Sequence, residues 1–269
     1  MRLLRLEMRR ALHRKAVRWL ILVALVGIAF FGVIVWFNSA NYASIEMSGR
    51  QESPALMRTW WRQDRNDGLP VQVAFFLIFG GVICGATVAG AEWKANTITS
   101  LLVSEPRRIR VLSAKLGAAA ILAFLIAFAL QVVLMAAALP SVFAHGSTEV
   151  SGSGWWLSLG LAIARTALVT AIAAVLAEAI ATIGRNTVVG LVVLFGWLAV
   201  VEGFTRGLRP GWTSWLWGEN IATIIPWREM GSPVGSSPIR SLTVVGLYTL
   251  AICISSIAVF NRRDIAGGS

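Results

Sequence analysis

Six stretches of this chain are long and apolar enough to cross a lipid bilayer: 17–37, 71–91, 112–139, 155–181, 187–204 and 240–260. A hydrocarbon core of about 30 Å needs roughly 20 apolar residues in helical form. Lipid offers the backbone no hydrogen-bond partners, so each run must be a helix or a strand of a closed barrel. The runs are unbroken rather than alternating, which selects helices. Charged residues make up 14% of the chain and hydrophobic ones 57%, whereas soluble domains carry about a quarter charged residues. The expectation is an all-α polytopic membrane protein, with six transmembrane helices in one transmembrane domain over 1–269. The first run is longer than the apolar core of a secretory signal and five more follow. It therefore reads as a retained span.

The formal charge of +11 is unevenly placed. Arg2, Arg5, Arg9, Arg10, Arg14, Lys15 and Arg18 precede the first span, with Glu7 the one acid among them. Lys94, Arg107, Arg108, Arg110 and Lys115 lie between the second and third spans, Arg185 between the fourth and fifth, and Arg262 and Arg263 after the sixth. The connection 140–154 has no Lys or Arg, and that over 38–70 balances its arginines with acids. Lys and Arg close to span ends mark the cytoplasmic side. Both termini are thus expected in the cytoplasm, and an even number of spans agrees with their sharing one side.

Residues 1–16 read as an amphipathic helix. Leu4, Met8, Ala11 and Leu12 share one face, opposite Arg2, Arg5, Arg9 and His13. Such a helix can rest on anionic headgroups or receive a partner subunit. The region 92–111 is more specific. Ile98, Leu101 and Leu102 recur at helical spacing, followed by Pro106 and the basic residues Arg107, Arg108 and Arg110. Ser104 or Glu105 is a candidate cap, with Pro106 at the first helical position. A short helix with an exposed apolar edge ordinarily buries it against another protein.

This connection resembles the signature segment of ABC-2 type transporter permeases. The matching residues are Glu92 closing the second span, Asn96-Thr97, Leu101-Leu102, Pro106 with Arg107 to Arg110, and Ala114-Lys115 opening the third span. Asn96 stands where the family usually has glycine. The tail over 260–265, Phe-Asn-Arg-Arg-Asp-Ile, also resembles the family's ending. The resemblance implies a coupling helix between spans two and three, with Trp93, Ile98, Leu101, Leu102, Pro106, Arg107, Arg108 and Arg110 receiving an ATPase. It implies two ABC ATPase subunits that hold ATP and Mg, and a second permease subunit, the same or paralogous. It implies a non-catalytic membrane subunit of an exporter in the cell membrane. This chain has no Gly-x-x-x-x-Gly-Lys-Ser/Thr, so no cofactor is expected on it and the ATPase must be a separate chain. Membrane lipid is an expected partner and nucleic acid is not.

Inside the spans, Arg165 lies about 15 Å below Trp155 at helical rise. An arginine at the bilayer centre costs roughly 2.5–3.5 kcal/mol on insertion scales. It therefore faces a cavity, the bundle interior or a partner, and Glu202 is a candidate counter-charge. Arg165, Gln131 and Glu202 are the candidate substrate-path residues. So few polar groups suit an amphipathic, lipid-like or drug-like cargo. Glu178, near the cytoplasmic end of the fourth span, suggests a structural ion pair with Arg185 or Lys115. Gly81, Gly85 and Ala89 form a small-residue stripe for close helix packing, within one subunit or across a dimer. Cys84 and Cys253 read as apolar filler.

On the other side, 206–240 holds Trp212, Trp215, Trp217 and Trp227, a composition suited to the membrane boundary. Thr213 or Ser214 can cap a helix running toward Ile225. The resemblance implies interfacial or re-entrant helices between spans five and six. Ser53-Pro54 suggests a further short helix in 38–70. An ion-coupled secondary transporter of a hydrophobic solute is the alternative, but paired intramembrane carboxylates and repeat symmetry are missing. With His13 and His145 both outside the spans, no metal site or nucleophile–base pair is expected within the membrane.

Overall fold

The computed structural model describes residues 2–45, 54–94, 107–150, 152–227 and 237–262. Its elements are nearly all helical. α1 (Arg2–Leu12) precedes α2 (Lys15–Ile45), α3 (Leu69–Lys94), α4 (Arg108–His145) and α5 (Trp155–Gly184). α6 (Thr187–Gly196) continues through a π-helical turn (Trp197–Val201) into α7 (Glu202–Leu208). A 3-10 turn (Pro210–Trp215), α8 (Trp217–Ile224) and α9 (Pro238–Arg262) complete the chain. Among the described residues, α2, α3, α4, α5, the α6–α7 unit and α9 are the 6 helices long and apolar enough to span a membrane. The protein is a multi-pass membrane protein.

α5 is the hub. In its span 61% of residues are buried inside the chain, against 11% for α2 and 17% for α9. The reason is its side chains. Ala162, Ala167, Ala171, Ala173, Ala174, Ala177, Ala179 and Ala181 surround the helix and are all buried. A helix lined all round with small apolar residues lets neighbours approach from every direction. α3 comes closest. A Cβ at Gly81 would lie 2.8 Å from the Thr170 carbonyl oxygen, and one at Gly85 would overlap the Ala174 carbonyl. With Ala89 also buried, this face of α3 is spent inside the subunit. α2, α6–α7 and α9 stand at the periphery and present large apolar side chains outward, among them Phe30, Phe37, Val192, Phe204 and Ile254.

The helices overrun the stretches read from hydropathy, most of all α4, which extends from Arg108 to His145. It starts two residues after Pro106, with Arg107 rather than Ser104 or Glu105 at the preceding position and no side-chain cap. Between α2 and α3 the short helix foreseen from Ser53-Pro54 is a single 3-10 turn, Met57–Trp60, beginning after Leu56. A two-stranded ribbon that the sequence did not suggest follows, with β1 (Trp61–Arg62) antiparallel to β2 (Asp67–Gly68). Trp60, Trp61 and Trp155 are almost wholly buried there, and the Trp155 indole donates to the Trp61 carbonyl at 2.7 Å. This plug seals the end of the α4–α5 pair.

Candidate coupling face and membrane-embedded polar residues

α1 packs on the first turns of α4. Its inward face is Leu4, Glu7, Met8 and Ala11, whereas Leu12, read as part of the apolar face, is 41% exposed. Glu7 is the centre of that face. Its carboxylate lies 3.0 Å from the Lys115 ammonium, and both side chains are about 5% exposed or less. Arg10 joins from the same helix at 3.2 Å, with its own side chain 56% exposed. Arg14 reaches the Thr87 carbonyl on α3 at 3.4 Å. The helix that sequence reading allowed to float on headgroups is therefore clamped to α3 and α4.

Beside it, four chain segments meet. Arg185 follows α5 in a left-handed conformation, φ 54°, and its guanidinium lies 4.9 Å from the ring centre of Trp93 at the end of α3. A non-glycine residue held there is unusual. The turn is fixed because Asn186 caps α6, accepting from the Val188 amide at 2.9 Å. Trp93 also meets Phe260 of α9 edge-on at 6.3 Å. Arg108, opening α4, donates to the Phe260 and Asn261 carbonyls at 3.4 and 3.3 Å. The C-terminal carbonyls of a helix carry partial negative charge, so a cation there is favourable. Trp93, Arg108 and Phe260 thus join one cluster at the basic end of the bundle, next to Lys115. Arg110 is exposed on the first turn of α4 and Arg107 precedes it. Ile98, Leu101, Leu102 and Pro106 lie outside the described residues. Trp93 and Arg107 bracket them.

A sequence profile described as ABC-2 family transporter protein matches residues 3–204. This chain belongs to the ABC-2 transporter family. No curated protein matches it. Membership makes this ABC-2 protein a membrane component of transport and implies association with an ABC ATPase. The profile covers α1 and reaches through the first four spans into the fifth, so the clamp and most of the basic-end cluster fall within the shared part of the chain.

In the membrane-spanning part of this ABC-2 protein, the three candidate path residues sit apart. Arg165 and Glu202 do not pair. The Arg165 guanidinium donates to the Leu161 carbonyl one turn back at 3.1 Å and lies 5.6 Å from the ring centre of Trp227. Glu202, wholly buried, turns the other way. Both its oxygens accept from the Gly218 amide, at 2.9 and 3.1 Å, and one accepts from Arg206 at 3.2 Å. Arg206 in turn holds Glu219 at 2.6 Å. Glu202 therefore caps α8 from a different helix. A carboxylate at a helix N-terminus meets unpaired amides and the positive end of the dipole. That satisfies it without Arg165. The same finding replaces the cap expected from Thr213 or Ser214: α8 starts after Leu216 with no side-chain cap of its own.

Gln131 is buried on α4 and donates to the Ala127 and Ile163 carbonyls at 3.1 and 3.2 Å. Glu178 is wholly buried on α5, within electrostatic reach of Cys84 and Cys253. Among the described residues Arg185 makes no ion pair with Glu178, because it is engaged over Trp93. Glu7, which fastens α1 to α4, is the residue of this face whose part the sequence reading passed over. Its signal was present all the same, as a lone acid in an otherwise basic amphipathic helix.

Proposed function

We propose that the chain is the permease subunit of an ATP-driven ABC-2 exporter. It moves an amphipathic, lipid-like or drug-like molecule out of the cytoplasm with ATP hydrolysed by separate ATPase subunits. The observation that carries this reading is the basic-end cluster. Trp93, Arg185, Phe260 and Arg108 tie the ends of α3, α5, α9 and α4 together, and Trp93 and Arg108 flank the connection 95–106 in sequence. The Glu7–Lys115 clamp adds α1. A push on that connection would reach four spans at once. The positive-inside bias puts this end, with both termini, in the cytoplasm. Ile98, Leu101 and Leu102 form the edge that docks on the ATPase. Two ATPases and two permeases make the working unit, with ATP and Mg bound on the ATPases. The chain itself is non-catalytic. The 3-10 turn and α8, capped by Glu202, lie at the outer interface and close the exit.

The test is co-expression with the cognate ATPase in reconstituted vesicles. Leu101→Asp with Leu102→Asp is expected to abolish permease-dependent stimulation of ATP hydrolysis while insertion and yield stay normal. Normal stimulation in this variant sinks the coupling role. Failure of any ATPase to co-purify with the wild-type chain sinks the exporter reading.

A further inference from the structure

Two arginines bracket the membrane-embedded length of α5. Arg185 follows its last turn at the basic end, and Arg165 lies about 20 residues earlier, roughly 30 Å at helical rise and close to one hydrocarbon thickness. Toward the start of α5 the surroundings turn polar. Gln63, in the turn of the two-stranded ribbon, donates to the Ser158 hydroxyl at 2.8 Å, and its neighbours Asp64 and Arg65 are mostly exposed. Charges so exposed need water, so Ser158 lies outside the hydrocarbon. Arg165 is about 10 Å deeper. It therefore stands at the headgroup boundary opposite the basic end, and not at the bilayer centre. Arg240 repeats the arrangement on α9. It precedes Arg262 by roughly 33 Å at helical rise and lies 5.4 Å from the ring centre of Trp215.

Arg165 faces lipid. It shares a stripe of α5 with Leu161 and Leu168, which are 52% and 42% exposed. Its Nε donates to the Leu161 carbonyl, and its guanidinium lies over the Trp227 ring. Neither contact uses its two terminal nitrogens, which meet no acceptor and make no ion pair among the described residues. Arg240 differs, since it gives a terminal nitrogen to the Ser214 hydroxyl at 3.2 Å. A guanidinium whose fork is unused matches two oxygens of a phosphate. At this depth on a lipid-facing stripe, the phosphates within reach belong to phospholipids.

We propose that Arg165, steadied by Trp227, holds the phosphate of one phospholipid in the leaflet opposite the basic end. The fork of the guanidinium takes the phosphate, and the acyl chains run past Leu168 into the hydrocarbon. The site lies within one subunit and needs no nucleotide. It goes beyond the exporter reading, whose own failure would show in ATPase stimulation and not in this binding.

The test uses the full chain in phosphatidylcholine nanodiscs without ATPase. Two probes are compared, a phosphatidylethanolamine and a diacylglycerol that lacks the phosphate, each with a photoactivatable group at the start of one acyl chain. Label on α5 peptides over 156–168 is read relative to label on α2. The phospholipid is expected to exceed the diacylglycerol about tenfold there, the worth of a charge-assisted contact. Arg165→Ala should bring that ratio to about one, and Arg165→Lys, which keeps the charge without the fork, to an intermediate value. Excess inorganic phosphate in the buffer should leave the ratio unchanged; its collapse would assign the site to a free anion and overturn the proposal. A wild-type ratio of one overturns it, and a preference that then emerges in Glu229→Gln would give the arginine to that carboxylate instead. An unchanged ratio in Arg165→Ala overturns it as well. Where that variant fails to fold, an undiminished ratio in Arg165→Lys does the same.

Discussion

The Lys115 ammonium and the Glu7 carboxylate, 108 residues apart in sequence, meet at 3.0 Å in a nearly water-free contact. The pair joins the N-terminal helix to the start of the third span. Removing one partner of a buried pair leaves a charge where water cannot reach it, at a cost of about 3 kcal/mol or more. Glu7→Ala is therefore expected to lower thermal stability strongly in detergent. Arg10→Ala, which removes the half-exposed member of the cluster, should cost under about 1 kcal/mol. Glu7→Leu combined with Lys115→Met should recover most of the loss. Equal melting temperatures for Glu7→Ala and wild type would refute the clamp.

Glu202 and Arg165 should behave as independent residues. A double-mutant cycle on Glu202→Gln and Arg165→Ala is expected to show coupling below about 0.5 kcal/mol. Glu202→Ala alone should loosen α8, seen as faster amide exchange over 217–224. Coupling above about 1 kcal/mol would mean that the two charges meet after all.

Gly85 faces the Ala174 backbone with no room for a methyl group. Gly85→Val is expected to separate α3 from α5, at a cost of about 3 kcal/mol. The readout is loss of the monodisperse peak in size-exclusion chromatography. Gly80→Ala, five residues away in open space, is the control and should leave the peak unchanged. A monodisperse Gly85→Val protein would show that the close approach is not needed.

Trp93 should matter more for coupling than for folding. Its contact with Arg185 is worth about 1 kcal/mol at a partly exposed site. Trp93→Ala is thus expected to preserve yield and cut permease-dependent ATPase stimulation several-fold, with Trp93→Phe intermediate. Loss of yield in step with loss of stimulation would make Trp93 a purely structural residue.

The spans were legible because bilayer thickness writes itself directly into run length. The α3–α5 packing was half legible. The glycine stripe announced a close approach, but not that Thr170 and Ala174 would be its floor. Arg165 and Glu202 were each found, yet joined wrongly. Charge complementarity names possible partners and carries no information about which side of a helix each one faces. The backbone amides of α8 competed for Glu202 and won, and a carboxylate's preference for amides leaves no mark in the sequence.

Taken alone, the residue order determined that this chain crosses the bilayer repeatedly as helices, with one side of the connections basic. Those properties depend on hydropathy and charge, which are local and additive. Tertiary packing alone decided that Lys115 would answer to Glu7 and that Glu202 would crown a distant helix. Each is a meeting of distant segments, fixed by the angles and depths at which whole helices pack, and no short window of sequence contains them.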